Sequence, residues 1–160
     1  MDPLNEKHKS LAIYIKSEEI YQTVKEIMAL VPEENERLKD FAAMMLNEAM
    51  IIQAKIAGAE GGDLYSIRMQ NAAIIRKAAM DLIIAKHSFE AFDFKYAEYF
   101  DLVRDRIEEF RLLFIDWVAS FDQQNYTIDT WGLFNPPGVG PHDKDPDDDI
   151  PWEGPNFEDD

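Results

Sequence analysis

Residues 96–121 read YAEYFDLVRDRIEEFRLLFIDWVASF. Tyr96, Phe100, Val103, Ile107, Phe110, Phe114, Trp117 and Phe121 recur there at alternating steps of four and three residues. On a helix that spacing stacks all eight along one seam, while Arg104, Asp105, Glu108, Glu109, Arg111 and Asp116 face elsewhere. A helix over the whole stretch would be roughly 39 Å long at about 1.5 Å per residue. So long an aromatic stripe must be covered by other helices, because exposing it to water is too costly. The chain is therefore predicted to be a helical bundle with this helix as its spine.

Three companions are legible upstream. Ile13, Ile20, Val24, Ile27 and Val31 keep helical steps, with Tyr14, Tyr21 and Met28 widening the face. This first helix begins at Leu11 or, if Ser17 is an N-cap ahead of Glu18 and Glu19, at Ser17, and Pro32 ends it. The second is predicted from Glu36 to Ala59, with Leu38, Ala42, Met45, Ala49, Ile52, Ile56 and Ala59 on its seam. Phe41, Leu46, Met50 and Ile51 lie off that seam, which suggests two neighbours. Gly61 and Gly62 stop the helix, and Asp63 is placed to cap the next. The third helix is expected over 64–86, with Ile67, Ile74, Ala78 and Ala85 in one row and Ala72, Ile75, Ala79 and Leu82 in another. Asn71 interrupts the first row, either as a buried contact fixing register or as a boundary residue touching water. Phe89, Phe92 and Phe94 form an aromatic elbow before the spine helix. Short joints make the set an all-α, up-down-up-down four-helix bundle over residues 1–122, followed by an irregular acidic C-terminal tail over 123–160.

Charge separates the two parts. The chain of 160 residues carries 32 acids and 16 bases, a net of −16. Residues 1–122 hold 22 acids and 15 bases, or −7, and residues 123–160 hold 10 acids and 1 base, or −9. Nucleic acid is repelled by such a field unless a local basic face outweighs it. With 0 cysteines, disulfides, thiolate metal sites and a thiol nucleophile are excluded. No stretch approaches the roughly 18 consecutive apolar residues of a membrane span. Residues 1–6 lack the basic-then-apolar order of a secretory signal, so a soluble cytoplasmic protein is expected.

Catalytic signals are missing where bundles usually carry them. Di-iron bundles use paired Glu-x-x-His motifs, and none of His8, His87 and His142 has a glutamate three residues before it. No phosphate-cradling glycine loop occurs, and no serine is matched to a histidine base. The expectation is a non-enzyme with no catalytic residue, no cofactor and no metal.

The segment Ile52-Gln53-Ala54-Lys55-Ile56-Ala57-Gly58, preceded by Leu46-Asn47-Glu48-Ala49 and followed by Gly61-Gly62, resembles a known motif. It is similar to the Ile-Pro-Ala-Asn-Ile-Ala-Glu-Gly stretch of the four-helix-bundle proteins encoded by intervening sequences of bacterial large-subunit ribosomal RNA genes. That superfamily also includes the accessory proteins of diversity-generating retroelements. Gln53 and Lys55 stand where the family has Pro and Asn, and the resemblance spans about residues 11–122. It implies a bundle that self-associates, commonly into rings, with nucleic-acid contact in the basic members and no catalytic motif.

The tail holds the sharpest functional hint. Tyr126, Ile128, Trp131, Leu133 and Phe134 are too apolar for a free linker and are expected to fold back, whereas the acidic run from His142 is expected to be mobile. Asp147-Asp148-Asp149-Ile150-Pro151-Trp152 resembles the acidic Asp-Asp-Asp-Ile-Pro-Phe tip by which single-stranded-DNA-binding proteins recruit partners. Trp131, Phe134, Asp147, Asp148, Asp149, Ile150, Trp152 and Phe157 are therefore the candidate partner-binding residues, suited to a basic groove with aromatic pockets. The leading expectation is a homo-oligomeric interaction or scaffold protein that offers this tail to a protein partner. A nucleic-acid-associated factor is the alternative, and it needs Lys55, Arg68, Arg76, Lys77 and Lys86 to form one basic face. A third possibility is an acidic mimic of nucleic acid.

Overall fold

Helices α1 (Ala12–Met28), α2 (Glu36–Glu60), α3 (Tyr65–Ala91) and α4 (Phe100–Ala119) make the fold. The computed structural model describes residues 7–151, and no strand occurs among them. Each helix packs against two others, α1 on α2, α2 on α3, α3 on α4 and α4 on α1, with α2 and α3 the most extensive pair. With joints this short, that is an all-α four-helix bundle in which sequence neighbours are antiparallel.

The core follows the predicted seams. On α4, Phe100, Val103, Ile107, Phe110 and Trp117 are buried, as is Phe121 just beyond the helix, while Tyr96 and Phe114 are half-buried. The helix is shorter than the 96–121 pattern, because Ala97–Tyr99 form a 3-10 turn leading into Phe100. On α2 all seven predicted seam residues are buried, and their three alanines let α1 and α3 approach closely. The Asn35 side chain accepts from Leu38 N at 3.1 Å and so caps α2.

The structure decides several local expectations. Ser17 is no N-cap: it sits fully buried within α1, on the seam between Ile13 and Ile20, and its hydroxyl donates to Tyr14 O at 2.5 Å. A small polar residue is tolerated there because its own helix satisfies the hydroxyl, and Gln53 Nε2 donates to Ser17 O at 3.3 Å. Asp63 does not cap α3, since the N-cap residue Leu64 has no side-chain cap; instead the helix's first N–H, of Tyr65, donates to Asn125 O at 2.9 Å. On α3 the Ala72, Ile75, Ala79 and Leu82 row is buried; of the other row Ala78 and Ala85 are buried, Ile74 is half-buried and Ile67 is exposed. Asn71 is half-buried and donates to Ile67 O at 3.0 Å, a boundary residue bonded within its own helix.

The aromatic elbow is a helix terminus with a specific geometry. Asp93 takes φ 56°, the left-handed conformation usually reserved for glycine. Phe94 N then donates to Phe89 O at 2.9 Å, and the rings of the same two residues meet at 5.4 Å. That pairing of hydrogen bond and apolar contact ends α3 in a Schellman turn. Phe89 is wholly buried there, stacked on Phe100 at 4.8 Å and close to Phe41 at 6.0 Å. The elbow thereby joins α2, α3 and α4 at one end of the bundle.

Candidate partner-binding site

At the opposite ends of α2 and α3, a carboxylate gathers the chain. Glu60 Oε1 accepts from Arg68 Nη2 at 2.6 Å and from Trp117 Nε1 at 2.7 Å, so one oxygen ties the end of α2 to α3 and α4. The Arg68 guanidinium lies over the Phe121 ring at 4.3 Å, and its Nε is buried without a hydrogen-bond partner. The chain leaving α4 passes this cluster, and the bond from Tyr65 N to Asn125 O pins it to the start of α3. Tyr126 then packs against the core.

The next residues fold around a second carboxylate. Asp129 Oδ2 accepts from Leu133 N at 2.9 Å and Phe134 N at 2.8 Å, and its Oδ1 accepts from Trp131 N at 3.0 Å. Asn135 closes the loop: its Oδ1 accepts from Asp129 N at 2.7 Å and its Nδ2 donates to Asp129 O at 2.9 Å. Asp129 O also accepts from Gly132 N at 2.9 Å. The amides of Phe134, Trp131 and Leu133 favour the ionised form and hold the Asp129 carboxyl below the usual aspartate range. Gly132 suits the turn because its φ is +71°, where an L side chain is strained, and an added Cβ would also stand close to Pro141 Cγ at 3.3 Å.

What this loop holds outward is apolar. Trp131 is 93% exposed and Leu133 72%, an unusual fate for large apolar side chains on an ordered turn. Phe134 is half-buried and, with Ile128, Ser66, Ile67 and Gln70, lines a cleft of about 480 Å³ between the loop and α3.

The first part of the acidic run is bonded to this loop. Asp145 accepts from Ile128 N at 3.2 Å and from Asp147 N at 3.3 Å, which fastens the 3-10 turn Pro146–Asp149 to the Asp129 loop. Asp147, Asp148 and Asp149 are exposed, Ile150 is 65% exposed, and Lys144 pairs with Asp149. Trp131 and Phe134 thus share one loop, while Asp147, Asp148, Asp149 and Ile150 share a neighbouring turn. Trp152 and Phe157 lie outside the described residues. The organisers Asp129 and Asn135 were missed from sequence, although Asp-Thr-Trp-Gly followed by Asn-Pro has the composition of an Asx turn.

The basic residues of α3 are largely committed to carboxylates. Arg68 is tied to Glu60, Lys77 to Asp81 at 2.5 Å, and Lys86 to Asp101 at 2.9 Å. Hydrogen bonding to those aspartates raises the Lys77 and Lys86 pKa values. His87 is largely exposed. Among the described residues no group of three or more His, Asp or Glu converges as a metal site, and no helix is long and apolar enough to cross a membrane. No protein-family model, curated protein or solved structure matches the chain.

Proposed function

We propose that this chain is a non-catalytic interaction protein: a helical bundle that self-associates and presents an acidic, aromatic-bearing tail to a protein partner. One observation carries the reading, the Asp129 loop. A dense set of hydrogen bonds holds that turn while leaving Trp131 and Leu133 in water, within a segment of net charge −9. Ordering a turn costs conformational entropy, and a turn that displays apolar side chains gains nothing from burying them in its own core. A rigid aromatic amid acidic charge suits a partner surface with an apolar pocket flanked by Lys or Arg. The resemblance to the ribosomal intervening-sequence proteins adds support for self-association.

Affinity capture with the whole chain, with Trp131→Ala and with a chain lacking residues 142–160 tests this reading, followed by titration of the purified partner at two salt concentrations. The expected result is partner loss in both altered forms and weaker binding at high salt; partners that bind equally to all three would refute it. The nucleic-acid alternative draws less support, since Arg68, Lys77 and Lys86 each already face a carboxylate. Salt-dependent binding of RNA or DNA at ordinary ionic strength would favour it instead.

A further inference from the structure

The side of the bundle between α3 and α4 carries a feature complementary to the Trp131 loop. A groove of about 380 Å³ opens there, its floor made by buried Ala79, Ile107 and Phe110. Exposed Met80 and Ile115, with half-buried Ile83 and Phe114, complete an apolar lining. Its charged neighbours are Arg76, Arg111 and Glu108, with Glu108 accepting from Arg111 Nη2 at 2.5 Å, so the balance is positive. This stands out in a bundle of net charge −7. The Trp131 loop has the opposite character, an indole and a leucine on a loop fastened through Asp145 to the acidic Asp147–Asp149 turn, with Lys144 held by Asp149.

A single molecule does not bring the two together. The loop sits against Ser66, Ile67 and Gln70 of α3, whereas the groove uses Arg76, Ala79, Met80 and Ile83. At 3.6 residues per turn those two sets point roughly 140° apart around the helix. The loop's anchorage through Asn125, Asp129 and Asp145 keeps it on its own side.

We infer that copies of this chain join head to tail, Trp131 and Leu133 of one entering the α3–α4 groove of the next. The inference rests on the self-association proposed above and names the contact that makes it. Burial of the indole supplies the apolar gain, and Arg76 and Arg111 meet the acidic turn and the ring face. Because the two surfaces differ, the contact is heterologous, and repetition yields a closed ring or an open chain of copies. The partner that the loop and its acidic turn take is thus a second copy of this chain.

Light scattering on the full chain across a concentration series tests this, with two variants at exposed positions whose folding is checked by circular dichroism. Trp131→Ala removes the knob and keeps the groove; Ile115→Glu spoils the groove and keeps the knob. The wild type is expected to exceed its 18.5 kDa monomer mass as concentration rises, and each variant alone to stay at that mass. Mixed together, the variants should form a pair of twice the monomer mass and nothing larger, since one good knob and one good groove remain. Higher salt should weaken both assemblies. Folded variants that keep the wild-type mass, or a mixture that stays monomeric, would overturn the contact while leaving self-association by another face intact. A wild type that remains monomeric would overturn the contact and the self-association together.

Discussion

Replacing Glu60 by alanine should cost far more than an ordinary surface substitution, and the geometry sets the amount. One Glu60 oxygen receives both the Arg68 guanidinium at 2.6 Å and the Trp117 indole N–H at 2.7 Å. Arg68 is 12% exposed and Glu60 24%, so neither group is fully replaced by water when its partner goes. Breaking a buried ion pair by deleting one member costs about 3–5 kcal/mol, and a hydrogen bond to a charged group is worth about 1.5–3 kcal/mol. Partial access of water to Glu60 lowers the total, and the remaining Asp63 oxygen lies 3.9 Å from Arg68, too far to replace what is lost. The expected loss is about 2–3 kcal/mol, or roughly 5–10 °C in Tm for a chain of this length. Glu60→Gln should lose less, because its amide oxygen still accepts from Trp117. Urea titration followed by Trp fluorescence measures both, and a double-mutant cycle with Arg68→Ala isolates the pair. A loss below about 0.5 kcal/mol for Glu60→Ala, the range of exposed positions, would refute the claim that this carboxylate joins three helices.

Phe89→Ala should destabilise by about 3–5 kcal/mol, measured by denaturant titration, because the ring is wholly buried among Phe41, Phe94 and Phe100. Asp93→Gly should stabilise by about 0.5–1 kcal/mol in the same assay, since the residue sits at φ 56° and glycine adopts that conformation without strain. The Asp129 loop should open in acid. Its folded-state pKa is depressed, so the carboxylate's contribution to order is full above the ordinary aspartate range and is lost as pH falls through the lowered folded value. Amide resonances of Trp131, Leu133 and Phe134 followed by NMR should shift together in that window and not between pH values of about 6 and 8. Asp129→Asn should give the loosened loop at neutral pH, read by the same three amides.

Much of the bundle was determined by the amino-acid order alone. The seams of α2 and α4 are legible because a 3.6-residue period admits only one way of hiding Leu38 through Ala59 or Phe100 through Trp117 from water. The joints are legible too, since Pro32 and the Gly61-Gly62 pair interrupt any continuous helix. The net charges of bundle and tail needed no coordinates.

Other features were decided only by tertiary contact. Ser17 is in the core because its hydroxyl turns back to Tyr14 O and Gln53 covers its carbonyl, and neither partner is implied by the local pattern. Helix α3 takes its cap from Asn125, some 60 residues downstream, rather than from the adjacent Asp63. Ile67 and Trp131 look like core residues by type and lie in water by placement. Periodicity reports which side of an element is apolar, a local property of the chain. Which apolar side is covered, and which distant atom satisfies a terminal N–H or a half-buried carboxylate, depends on how the four helices and the tail meet in space.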